Sequence, residues 1–150
     1  MLQDNIKTKG TLSLVLTDEF GNVKQQDEHN LVVSTGLAYI ASRMKDATAT
    51  AMTHMAVGAG STAAAAANSA LGNELGRVTL TSTTIVTTSV ANDAVQYVAT
   101  FGAGTGTGAI TEAGIFNDST TGTMLCRTVF AVINKGALDT LTITWKVTVA

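Results

Sequence analysis

Glu74, Arg77, Glu112 and Arg127 are the charges that stand among apolar and small neighbours in this 150-residue chain. Carboxylates of this kind can do acid–base work only when a partner group and a cleft converge on them. Their positions in the sequence supply neither. The expected use is structural: Arg77 or Arg127 pairs with Glu74 or Glu112 and ties a loop to a sheet. His29 and His54 lie on different predicted strands, and Cys126 is more distant still, so no zinc-ligand spacing is present. One exposed and one half-buried histidine are expected. The run Gly102-Ala103-Gly104-Thr105-Gly106-Thr107-Gly108 places glycine at every second position. A dinucleotide loop needs G-x-G-x-x-G and a following helix, and a phosphate loop needs Gly-Lys-Ser/Thr; this run has neither and reads as a flexible loop. No G-x-S-x-G is present. The sequence therefore assigns no catalytic, cofactor-binding or metal-binding residue. No cofactor is expected, and the chain reads as non-enzymatic.

The elements that carry these residues are mostly strands. Thr140–Val149 alternates without a break, with Leu141, Ile143, Trp145, Val147 and Val149 on one face. Burying five such side chains contributes about 8–15 kcal/mol as an upper bound. This is expected to be a central strand, with Trp145 in the core beneath a helix. Leu12, Leu14 and Leu16 mark a first strand, Asp18–Asn22 a turn, and Val23 to His29 a polar returning strand at an edge. Ser34 is a candidate N-cap for a helix over about 35–45, with Leu37, Ile40, Ala41 and Met44 as its apolar stripe and Arg43 and Lys45 in its last turn.

Further strands are expected at Thr53–Gly58, over Arg77–Val90 as one or two, at Val95–Phe101, at Ala109–Phe116 and at Thr123–Ile133. In the last of these Met124, Cys126, Thr128, Phe130 and Val132 share a face. Residues 59–76 read as a long loop. Seven or eight strands with one short helix predict a mainly β, antiparallel β-sandwich of jelly-roll or immunoglobulin-like type, as a single domain over 1–150. Residues 1–9 are polar and aperiodic and read as a flexible N-terminal arm.

Charged residues make up only 13% of the chain, and the net charge is −2. With no basic tract there is no electrostatic footprint for nucleic acid. No apolar run approaches the ~20 residues of a membrane span. The N-terminus lacks a signal-peptide pattern, so synthesis in the cytoplasm without conventional export is expected. A lone cysteine excludes an internal disulfide. A surface this poor in charge is weakly protected against association and favours a subunit of an assembly.

Asn30-Leu31-Val32-Val33-Ser34-Thr35-Gly36, His54-Met55-Ala56-Val57-Gly58-Ala59-Gly60-Ser61-Thr62 and Ala70-Leu71-Gly72-Asn73-Glu74-Leu75-Gly76-Arg77 resemble segments of a family of small tailed-bacteriophage virion proteins. Ile110-Thr111-Glu112-Ala113-Gly114-Ile115-Phe116-Asn117, followed by Gly122-Thr123-Met124-Leu125, is similar to the E-x-G-[IL]-F turn of phage tail-fibre and collar attachment domains. The resemblance covers about residues 30–135. Where family members often carry proline, at 61–69, this chain has alanines.

What the resemblance implies is a non-enzymatic virion structural protein. First comes a capsid decoration (cement) protein that binds the outer shell; second, a neck, tail or fibre-attachment subunit; third, a small host- or glycan-binding β-module. The implied partners are copies of the chain itself, as dimer or trimer, and other virion proteins, above all the major capsid protein, with neither nucleic acid nor membrane.

Overall fold

A computed structural model describes residues 5–150. β1 (Thr8–Thr17) and β2 (Val23–Val32) form the expected hairpin. Its turn is built on Asp18, whose carboxylate accepts the N–H groups of Phe20 and Asn22 at 2.9 and 2.8 Å. Then follow α1 (Ser34–Lys45), β3 (His54–Gly58), β4 (Glu74–Thr79), β5 (Ser82–Val86), β6 (Ala94–Phe101), β7 (Gly108–Phe116), β8 (Met124–Lys135) and β9 (Thr140–Val149). The protein is mainly β and antiparallel, with one short helix among the described residues.

The strands run β4-β3-β7-β8-β2-β1-β9-β6-β5 in one nine-stranded sheet that curls into a half-barrel. That corrects the expected seven or eight strands and the division into two packed sheets. Two features produce the curl. β2 changes partners along its length: Val23–Asn30 pair with β1, whereas only Leu31 and Val32 pair with β8, opposite Arg127 and Cys126. β4 and β5 terminate opposite ends of the sheet, yet only Leu80 and Thr81 separate them in sequence. Leu80 N–H donates to Thr53 O at 2.8 Å and Thr81 N–H to Val98 O at 2.7 Å. The covalent link thus draws the two ends to one corner, and the concave face closes on one core. Leu12, Tyr97, Phe101 and Trp145 from one half meet Met55, Val57, Ile110 and Ile115 from the other.

β9 is central, between β1 and β6, with Leu141, Ile143, Trp145 and Val147 buried and Val149 at its exposed end. In β8 the alternation slips. Ile110 stands opposite Ile133 but Glu112 opposite Val129, so Phe130 and Ile133 both turn inward while Val132 is 52% exposed, against the expected shared face. The polar stretch after Gly21 does present an open edge, since β2 meets β8 only at its last two residues. Of the arm expected over 1–9, residues 1–4 lie outside the described residues. Lys7 exchanges main-chain bonds with Ala150 at 3.0 and 2.9 Å, and Thr8 and Lys9 pair with Val149 and Thr148, so these three are bound to the sheet.

The helix differs from expectation in its seat. Val33 occupies the N-cap without a side-chain bond, and Ser34 is the first helical residue. Leu37 and Met44 are 48% and 80% exposed, whereas Gly36 is buried and Tyr39 and Ile40 pack on the core. The reason is close approach: a Cβ at Gly36 would collide with the carbonyl of Leu125 on β8. A glycine, not the aliphatic stripe, sets the helix against the sheet. Gly36→Ala is expected to push α1 off β8 and cost about 1–3 kcal/mol, measured by denaturant unfolding.

Candidate functional site

The charges singled out in the sequence form two centres. Glu112, on β7, is fully buried and pairs with Arg127 on β8, itself 2% exposed. Glu112 Oε2 accepts from Arg127 Nε and Nη2 at 3.0 and 2.8 Å, and from Gly72 N–H at 2.9 Å. Oε1 accepts from Gly60 N–H at 2.8 Å and Asn73 N–H at 2.7 Å. Arg127 continues outward to Asn68 Oδ1 at 2.9 Å and Thr62 O at 3.0 Å. One ion pair thus holds the long 59–73 loop at both ends, as the sequence anticipated in kind. A side chain at Gly60 would run into the Glu112 carboxylate, so glycine is required there for the backbone to reach it.

Arg77 on β4 makes the second centre. Its Nε and Nη2 donate to the two carboxylate oxygens of Glu74 at 2.9 and 2.8 Å. Nη1 donates to the carbonyls of Asp118 and Thr121, both at 3.0 Å, and the guanidinium lies 3.8 Å from the centroid of the Phe116 ring. Within the Glu112–Phe116 stretch of β7, Glu112 therefore anchors the loop, Ile115 enters the core and Phe116 seats Arg77.

Burial opposes ionisation of Glu112, but the N–H groups of Asn73 and Gly72, then Arg127 and Gly60, outweigh it and hold the carboxyl below its usual range. A carboxyl depressed in the folded state stabilises above its unfolded value, about 4.3, and loses that contribution as pH falls through the folded value. Stability is expected to be level between about pH 5 and 8 and to fall below about pH 4. The gap between the wild type and Glu112→Gln is expected to narrow over the same acid range in thermal melts. Both carboxylate oxygens and all three guanidinium nitrogens are engaged, and Arg127 also lines a hollow of about 330 Å³ with Thr62, Asn68 and Leu71.

His29 is exposed on β2 and His54 half-buried on β3, where its ring nitrogens contact the Thr53 and Thr79 hydroxyls at 2.8 and 3.4 Å. Cys126 is buried, and burial pushes its thiol up. Among the described residues no three His, Cys, Asp or Glu side chains are grouped to hold a metal. In the glycine loop Gly104 N–H donates to Ala137 O at 2.8 Å, and the buried Lys135 donates to Gly102 O at 2.9 Å. Burial lowers the Lys135 ammonium's affinity for its proton, partly countered by Asp139. No described helix is long and apolar enough to cross a membrane.

Two further concavities lie over the faces of the sheet. A polar hollow of about 360 Å³ lies over β1, β2, β9 and β6, lined by Thr11, Ser13, Asp27, His29, Gln96 and Lys146 among others. An apolar groove of about 410 Å³ separates α1 from β5, with Tyr39, Met52, Ile85, Tyr97 and Val149 in its lining. Arg43 is the one charge lining it, and its Nη1 donates to Ala47 O and Ala49 O at 3.2 and 2.9 Å. The sequence reading missed this groove because Met52 and Tyr97 are distant from Ile85 along the chain. The available signal was the run Val78–Asn92, which contains no charged residue. Comparison with family profiles, with curated proteins and with solved structures finds no match to this chain.

Proposed function

We propose that this protein is a non-enzymatic bacteriophage virion structural protein, a decoration (cement) subunit that binds the outer capsid surface and stabilises the shell. The observation that carries the reading is convergence. The segments that resemble phage virion proteins, at 54–62, 70–77, 110–117 and 122–125, fold into one unit around Glu112–Arg127 and Arg77–Phe116. Glu112 holds the 59–73 loop and Arg77 the 118–121 turn, which suits a rigid docking module. A charged content of 13% suits a surface that protein neighbours cover. The partners in this reading are further copies of the chain and the major capsid protein.

A second reading, a neck, tail or fibre-attachment subunit, is favoured by the resemblance of the Glu112–Phe116 segment. A third, a glycan-binding module, is favoured by the polar hollow, whose hydroxyl, amide and charged groups suit sugar hydroxyls. Purified protein added to particles lacking the native copy tests all three. Ordered density on the capsid exterior is expected in cryo-EM. Density confined to the neck or tail selects the second reading, and absence from particles together with glycan-array binding selects the third. Removing residues 1–6, which spares the β1 ladder, is expected to reduce occupancy if the N-terminus helps attachment.

A further inference from the structure

We propose that the chain self-associates through β5, as a two-fold dimer in which β5 pairs antiparallel with β5 of a second copy. This deepens, and rests on, the self-association part of the reading above, and is independent of where in a virion the protein sits.

The argument compares the two ends of one sheet. An edge strand offers a row of open N–H and C=O groups, and proteins guard such edges with charge, bulges or covering loops. β4 is guarded in the first two ways. It carries the Glu74–Arg77 ion pair, and its pairing with β3 shifts register at Val57/Gly58. β5 has none of these. It pairs only with β6, in regular register from Ser82↔Val98 to Val86↔Ala94. It contains neither charge nor proline, and Ile85 is 61% exposed.

Charge selects the occupant. In a two-fold contact the same patch faces itself, so an edge carrying charge of one sign would repel its own copy. Val78–Asn92 is uncharged throughout and carries no such penalty, while offering nothing to attract a charged partner. Antiparallel pairing centred on Thr84 sets Ser82 against Val86 and Thr83 against Ile85 of the second copy, using every residue of the strand. Thr83 and Ile85 both face the apolar groove, so pairing brings the two grooves side by side.

Area sets what a stable contact must cover. A standard interface takes about 800 Å² from each partner, roughly a tenth of this chain's 7931 Å². An edge of five residues is only about 17 Å long and is too small alone. The adjoining groove, with Ile85 and Val149 exposed at its rim, widens the contact beyond the strand.

The test uses the purified full chain. Multi-angle light scattering is expected to show a dimer at tens of micromolar protein. Ile85→Lys, at an exposed position, is expected to raise the dissociation constant at least tenfold while its melt in dilute solution stays near the wild type. A short bismaleimide is expected to link Thr84→Cys copies, Cys126 being buried. Monomer at several hundred micromolar overturns both this pairing and the self-association it rests on. A dimer that Ile85→Lys leaves intact, or one in which Thr84→Cys does not cross-link, overturns the β5 surface and leaves self-association standing through another face.

Discussion

Glu112→Ala is expected to cost about 3–5 kcal/mol, because it strands Arg127 as an uncompensated buried charge. Against a typical total of about 5–15 kcal/mol, that leaves a marginal fold. The companion variant Glu112→Leu/Arg127→Met separates two contributions. Replacing a buried ion pair by apolar side chains of similar size is often neutral. Here Glu112 also receives the N–H groups of Gly60, Gly72 and Asn73. Those donors lose their acceptor in the double variant, at about 1–3 kcal/mol for each one left unsatisfied. The double variant is therefore expected to remain at least about 2 kcal/mol below the wild type, with the 59–73 loop losing hydrogen-exchange protection first. Urea unfolding measures the free energies. A double variant as stable as the wild type would show that the ion pair acts only on itself and does not hold the loop.

Trp145→Ala is expected to cost about 3–5 kcal/mol as well, by emptying the largest fully buried side-chain volume. Trp145 lies between Leu12 on β1 and Tyr97 on β6 in the ladder, and its Nε1 donates to Asn30 Oδ1 at 2.8 Å. Trp145→Phe keeps most of the volume and loses that bond, so a smaller cost of about 1–3 kcal/mol is expected. Both are followed by circular dichroism, since the substitution removes the only tryptophan. A loss below about 1 kcal/mol for Trp145→Ala would place this side chain outside the structural core.

Local pattern determined much of this protein. The period-two alternation of Thr140–Val149 specified a strand and its buried face, because successive side chains in an extended chain must point to opposite sides. Asp18–Asn22 marked the first turn through its short acceptor side chain and glycine. Isolated charges in apolar surroundings announced that arginine and glutamate would pair and tie loop to sheet, since a buried charge without a partner is too costly to keep. What alternation cannot encode is which strands are neighbours. The half-barrel comes from the two-residue link between β4 and β5 and from the change of partner along β2, both set by contacts between distant segments. The helix stripe misled for a related reason. Periodicity ranks side chains by hydropathy, but close packing let Gly36 reach the Leu125 carbonyl and left Leu37 and Met44 outside. Which arginine meets which carboxylate, and that β5 rather than β4 is the bare edge, were likewise decided only when the sheet curled.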